Sequence, residues 1–169
     1  MGDTILLLED EAIVKIHPTL SRQWSRKGER RLIPSYDNHE KRVVFGSVNP
    51  LTGECVTSFW GTINQVGFIE HLNELKNRFS GKNMIICLDN CRSHFTKKVQ
   101  KFLEQNKNFF LLFLPPYSPD LNPIERLWQV MRKAVTNNTF FRSLDELESA
   151  IKDFFDSLAF EEVKLTCAI

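Results

Sequence analysis

Three carboxylates stand where apolar runs give out. Asp10 follows Ile5-Leu6-Leu7-Leu8, Asp89 follows Met84-Ile85-Ile86-Cys87-Leu88, and Glu125 follows the stiff, proline-rich stretch that opens with Pro115-Pro116. In an α/β sheet, groups carried just past the carboxyl ends of strands collect on one side of the molecule. Three acids gathered there repel one another and hold their protons more tightly unless cations sit among them. Mg²⁺ binds through one or two carboxylates together with phosphate and water. Two such ions about 3.5–4 Å apart can serve the attacking and the leaving oxygen of a phosphoryl transfer. The residue types therefore point to metal-dependent phosphoryl-transfer chemistry, with nucleic acid as the candidate substrate.

The elements that must position these acids are legible from hydrophobic period. Ile5–Leu8 reads as a short strand that ends at Glu9-Asp10-Glu11. A long polar connection follows, Lys15 to Arg42, with eight basic residues against three acids. Two strands are expected over Val43–Val48 and Cys55–Thr62, joined by the turn formers Asn49-Pro50-Leu51-Thr52-Gly53. Val66, Ile69, Leu72, Leu75 and Phe79 then recur at helical spacing, with Asn64 as cap and Gly81 as stop. Met84–Leu88 and Phe109–Leu114 are continuous apolar runs, expected as buried parallel strands joined through a helix with Phe95, Val99, Phe102 and Leu103 on its apolar side. Ile124, Leu127, Met131 and Val135 predict a further helix ending near Asn137-Asn138. Ser143 with Glu146 opens the last one. The segment Ala159–Ile169 carries no clear element and is expected as a tail, frayed or used in association.

Bulk properties narrow the classes. The chain has 169 residues, enough for one domain with a sizeable core. Its net charge of +1 leaves nucleic-acid contact to local basic patches. Four scattered cysteines do not form a disulfide framework, so reduced thiols in a cytoplasm are expected. No apolar run approaches a membrane span, and no secretory signal is visible.

The strand-ending Asp10-Glu11, the segment Leu88-Asp89-Asn90-Cys91-Arg92-Ser93-His94, and the string from Pro115 to Trp128 together resemble the DDE transposases of the mariner-like and bacterial insertion-sequence group. The 35 residues between Asp89 and Glu125 are close to that group's spacing. The resemblance covers about Ile5 to Leu158. It implies a single ribonuclease-H-like catalytic domain over residues 1–158, with a mixed five-stranded sheet of three antiparallel then two parallel strands, flanked by helices. It also implies cleavage at transposon ends, followed by in-line attack of the new 3′-hydroxyl on target DNA without a covalent enzyme intermediate. Carried over position by position, Asp10 would contact two Mg²⁺ ions (Mn²⁺ substituting), Asp89 would help bind one and Glu125 the other. Glu11, Asn90, His94 and Asn122 are auxiliary candidates. The implied partners are transposon-end and target DNA, with a homodimer forming on DNA in the cytoplasm or nucleoid. Neither a membrane nor a small-molecule cofactor is implied.

Each residue also has a plainer reading. Glu125 falls at the third helical position after Asn122 and Pro123, where it would close a capping box. Asp89 would cap the helix that follows it. Strand alternation sets Glu9 and Glu11 opposite Asp10, so only one set can aim at the site; the motif selects Asp10. Cys87, Cys91 and His94 suggest zinc, but Cys87 belongs to an apolar strand and no fourth ligand stands out. Trp24, Arg26, Lys27, Arg30 and Arg31 are candidates for DNA contact, with Trp24 stacking on an exposed base. The alternative is a solvated loop whose tryptophan packs on the sheet edge. Trp128 reads as core. No helix-turn-helix module of the kind such transposases carry is visible before the first strand. Hence the rival to an active nuclease is a catalytically silent remnant that binds DNA or a full-length transposase.

Overall fold

The computed structural model describes residues 3–29, 32–35, 39–116 and 121–168. Within them the strands are β1 (Thr4–Lys15), β2 (Lys41–Val48), β3 (Cys55–Trp60), β4 (Asn83–Leu88) and β5 (Phe109–Phe113). The helices are α1 (Gln65–Arg78), α2 (Lys97–Gln105), α3 (Ile124–Met131), α4 (Leu144–Ser157) and α5 (Phe160–Thr166). The sheet order is β3-β2-β1-β4-β5. β1, β2 and β3 pair antiparallel, while β1, β4 and β5 pair parallel. This is the expected mixed sheet of a ribonuclease-H-like fold.

β1 is longer than its apolar run. Thr4–Leu8 pairs with β4, and from Leu8 to Lys15 the strand pairs with β2. β4 and β2 flank β1 on opposite edges, and the β2 ladder continues after β4 has ended, so the acids do not end the strand. Asp10 lies within it, opposite Gly46. What ends beside Asp10 is β4: carrying the Leu8–Cys87 register on by two residues brings Asp10 level with Asp89.

Alternation along β1 divides the core. Leu8, Ala12 and Val14 pack with Ile124, Leu127, Trp128 and Met131 of α3, and with residues of α4 and α5. Leu7, Val43 and Phe45 pack on the other face with Phe68, Leu72 and Leu75 of α1 and Val99 of α2.

Local chemistry sets the element ends. The Asn64 side chain caps α1 by accepting from the Val66 and Gly67 N–H groups. Ser143 caps α4 by accepting from Glu146 N–H at 3.1 Å, and the Glu146 carboxylate reaches back to Arg142 N–H at 2.7 Å. In the β2–β3 turn, Gly53 has φ +80°, and a Cβ there would lie 2.1 Å from the Phe160 carbonyl oxygen. The turn is thus built against the start of α5.

Four expectations change. The inner stripe of α1 runs through Phe68, His71, Leu72 and Leu75, leaving Val66 exposed. Phe95 belongs to a separate 3₁₀ turn (Arg92–Phe95), partly exposed and stacked on Phe113, because Thr96 caps α2 anew. β5 is an edge strand with Phe110 and Leu112 53% and 54% exposed, since only its odd-numbered side chains join a core cluster. The segment after Leu158 forms α5, which buries Val163 and Cys167 and holds the Ala168 carbonyl against Arg126 Nη1 at 3.0 Å.

Candidate functional site

The site lies at the carboxyl end of β4, where β1 changes partner. Asp10 shares the face of Leu8 and Ala12, and so faces α3. Its Oδ2 accepts from Trp128 Nε1 at 2.9 Å. Gly46 makes room for this contact: a Cβ there would fall 2.4 Å from Trp128 Cη2. Burial, then the nearby Glu125 and Glu11 charges, push the Asp10 carboxyl up to about 7, against the lowering effect of the Trp128 bond. Glu125, 115 residues on in sequence, is thus near enough for its charge to act on Asp10.

Glu125 stands in the first turn of α3, which is anchored by the buried Ile124, Leu127, Trp128 and Met131. No capping box forms. The N-cap is Pro123, without a side-chain cap, and Asn122 instead donates its Nδ2–H to the Glu9 carbonyl at 2.8 Å. Asn122 thus joins the head of α3 to β1. Tyr117 to Asp120, within the proline-rich string, lie outside the described residues.

Asp89 is the exposed member, its side chain 56% accessible. It does not cap α2, a task done by Thr96; its Oδ1 accepts from Cys91 N–H at 2.8 Å, closing a tight turn. Asn90 donates to the Leu114 carbonyl and Leu114 N–H to the Leu88 carbonyl, so the Asp89 loop is tied to the end of β5.

The opposite face of β1 carries a second constellation. Glu11 Oε1 lies 3.1 Å from His94 Nε2, and His94 Nδ1 lies 3.3 Å from the Asp89 carbonyl. Glu11, Cys91 and His94 form a cluster able to hold a metal ion. Cys87 is not in it, because it packs with Leu8 and Val48 on the α3 side. Glu9 is fully buried, and burial, then Glu11, Asp10, Asp89 and Cys91, push its carboxyl well above the ordinary range.

Trp24 is 100% exposed, so it does not pack on the sheet edge; Arg26 and Lys27 are exposed beside it. The root of this segment is held by Asn138 (φ 58°), whose Oδ1 accepts from Ser21 N–H at 2.8 Å. Arg30 and Arg31 lie outside the described residues.

Sequence reasoning missed the polar role of Trp128, although helical spacing from Glu125 gave a signal, since residues three apart share a helix face. Alternation placed Glu9 with Glu11 opposite Asp10, but its full burial came only from the packing.

Comparison with known proteins adds the ancestry. Residues 6–148 match the DDE superfamily endonuclease family. The chain is 26% identical over 152 residues to the insertion element IS630 uncharacterised 39 kDa protein of Shigella sonnei, a match covering 89% of this chain and 44% of that protein. It is 33% identical over 105 residues to an uncharacterised protein of Sinorhizobium fredii, covering 62% and 75% of the two. Among solved structures, the mariner Mos1 paired-end complex with Mg superposes at TM-score 0.75 with 19% identity, over 96% of this chain and 51% of that one. The chain thus spans about half the length of the first relatives it matches. The five-stranded mixed sheet flanked by helices is that of a ribonuclease-H-like α/β domain. By its sequence, this chain belongs to the DDE superfamily endonucleases.

Proposed function

We propose that this chain is the catalytic domain of a transposase, cutting DNA at transposon ends and joining the freed ends to target DNA. What supports this reading is the family of the chain together with Asp10 placed level with the β4 terminus that bears Asp89 and within reach of the Glu125 charge. The donor set fits Mg²⁺ or Mn²⁺: all three groups are hard carboxylate oxygens. Burial, and then the Glu125 and Glu11 charges, raise the Asp10 carboxyl, and a bound cation would offset both. Asp10 would hold two ions, Asp89 one of them and Glu125 the other. Bound there, such ions supply Lewis-acid stabilisation of an in-line displacement at phosphorus.

The chain's own groups do the positioning. Trp128 Nε1–H fixes one Asp10 oxygen, the Cys91 N–H orients Asp89, and Asn122 sets the head of α3. The exposed Trp24, Arg26 and Lys27, with Arg30 and Arg31 beside them in sequence, are suited to stack a base and to track phosphates. Joining two ends calls for two active sites, hence a dimer on DNA. The relatives named for Mos1 include a paired-end complex and a strand-transfer complex, which supports DNA as partner.

The test is a plasmid-nicking assay with Mg²⁺ or Mn²⁺, run beside calorimetric metal titration on wild type, Asp89→Asn and Glu125→Gln. Metal binding and nicking that both collapse in the variants support the reading. A wild type that binds no metal and cuts nothing, even when joined to an end-recognising module, would make the chain a silent remnant.

A further inference from the structure

The face of β1 turned away from Asp10 holds donors that the carboxylate triad does not use. Glu11, Cys91 and His94 place a carboxylate oxygen, a thiol sulfur and a ring nitrogen within 4.8 Å of one another. The imidazole is fixed: Phe68 packs against it at 4.3 Å between ring centroids, and the His94 side chain is fully buried. Both ring nitrogens meet acceptors. Nδ1 is 3.3 Å from the Asp89 carbonyl and Nε2 is 3.1 Å from Glu11 Oε1. Donation from Nδ1–H to the carbonyl leaves the Nε2 lone pair against a carboxylate, an arrangement that calls for a proton or a cation between them. A metal-bound imidazole commonly gives its other N–H to a backbone carbonyl in this way.

Two further observations point to a ligand. The Ser93 hydroxyl donates to Cys91 Sγ at 3.2 Å, which fixes the position of the sulfur beside His94. Glu9 shares the face of Glu11, is fully buried, and neither of its carboxylate oxygens has a hydrogen-bond partner. A buried surplus of acceptors is costly unless a cation joins it.

We propose that Glu11, Cys91 and His94 bind one transition-metal ion, with Zn²⁺ the best match to the donor set, and with Glu9 as its outer carboxylate. Tetrahedral Zn²⁺ holds its ligand atoms roughly 3.3–3.6 Å apart. The Glu11–His94 separation is close to that span, and rotation of the Cys91 side chain closes the rest. Thiolate and imidazole select Zn²⁺ over Mg²⁺, which distinguishes this donor set from the all-oxygen triad, whose Asp89 borders both. The ion would staple β1 to the loop after β4, and so hold Asp89, whose Oδ1 lies 3.7 Å from His94 Nδ1.

Co²⁺ reports on such a site without any assay of activity. The full chain, stripped with chelator, is titrated with Co²⁺ and then with Zn²⁺. One equivalent should give a thiolate-to-cobalt charge-transfer band in the near ultraviolet, with the intense visible bands of four-coordinate cobalt, all displaced by Zn²⁺. The charge-transfer band should vanish in Cys91→Ser with the far-ultraviolet circular dichroism unchanged, weaken roughly tenfold or more in affinity in Glu11→Gln, and survive Glu125→Gln. No band in wild type, a band that persists in folded Cys91→Ser, or one lost in Glu125→Gln overturns the proposal. Should Cys91→Ser fail to fold, alkylation of wild-type Cys91 followed by mass spectrometry decides: Zn²⁺ must slow it, and an unchanged rate overturns the site.

Discussion

At the scale of single residues, charge crowding sets what can be measured. The Asp10 carboxyl titrates near 7 and Glu9 is raised in the same direction. Each raised group keeps its proton in the folded state after the unfolded chain has lost it. Metal-free protein therefore loses stability as pH rises from about 4 toward 7, by at most about 1.4 kcal/mol per pH unit per group. His71 acts in the opposite sense. Buried between the Ser47 and Ser58 hydroxyls at 2.8 Å each, it is held down to about 3, so acidification below about 6.5 favours the unfolded chain. Comparing wild type with Asp10→Asn isolates the first effect. Urea unfolding in chelator should show wild type gaining on the variant as pH falls from 7 to 4; parallel curves would deny the raised carboxyl. Trp128→Phe keeps an aromatic side chain but loses the second ring and the Asp10 donor. It should cost about 1–3 kcal/mol by the same unfolding measurement, with a weaker Mg²⁺ isotherm.

Elements place these groups through close contacts that allow little substitution. Gly46 and Trp128 are the clearest case, since any Cβ at position 46 enters the indole. Gly46→Ala should destabilise by about 1–3 kcal/mol and displace the Asp10 partner. Near-ultraviolet circular dichroism would register the Trp128 shift, and an unchanged spectrum and stability would refute the contact. The Gly53 turn makes a similar demand on α5 through the Phe160 carbonyl. Positive φ adds backbone strain to the clash, so Gly53→Ala should lower Tm more than Gly81→Ala. Gly81 shares the positive φ but has open space around it.

For the whole molecule, α5 is part of the fold's closure. Its Val163 and Cys167 are buried in the same cluster as Trp128. A chain truncated after Leu158 should melt several degrees lower by calorimetry, because that cluster would open to water. DNA binding gives a test of the exposed segment. If Arg26 and Lys27 each meet a phosphate, replacing both with alanine should weaken binding at every sequence tried. The slope of log K against log salt should fall by about 0.9 for each contact. An unchanged slope would place the phosphates elsewhere.

Much of this was written in the sequence because it depends on local rules. Apolar period gave the strands and helices, Asn64 and Ser143 marked the helix starts, and the motif acids stood out by type and spacing. Three things needed the tertiary fold. β1 runs past its apolar residues because β2 pairs along its other edge after β4 has ended, a matter of pairing between distant segments. Phe110 and Leu112 are exposed because strand order, which hydrophobicity does not encode, put β5 at the edge. Asp10 meets Trp128 on one face of β1, within reach of the Glu125 charge, while Glu11 meets Cys91 and His94 on the other. Alternation in the sequence separated the two sets of acids, but only packing from both sides could give each set its partners.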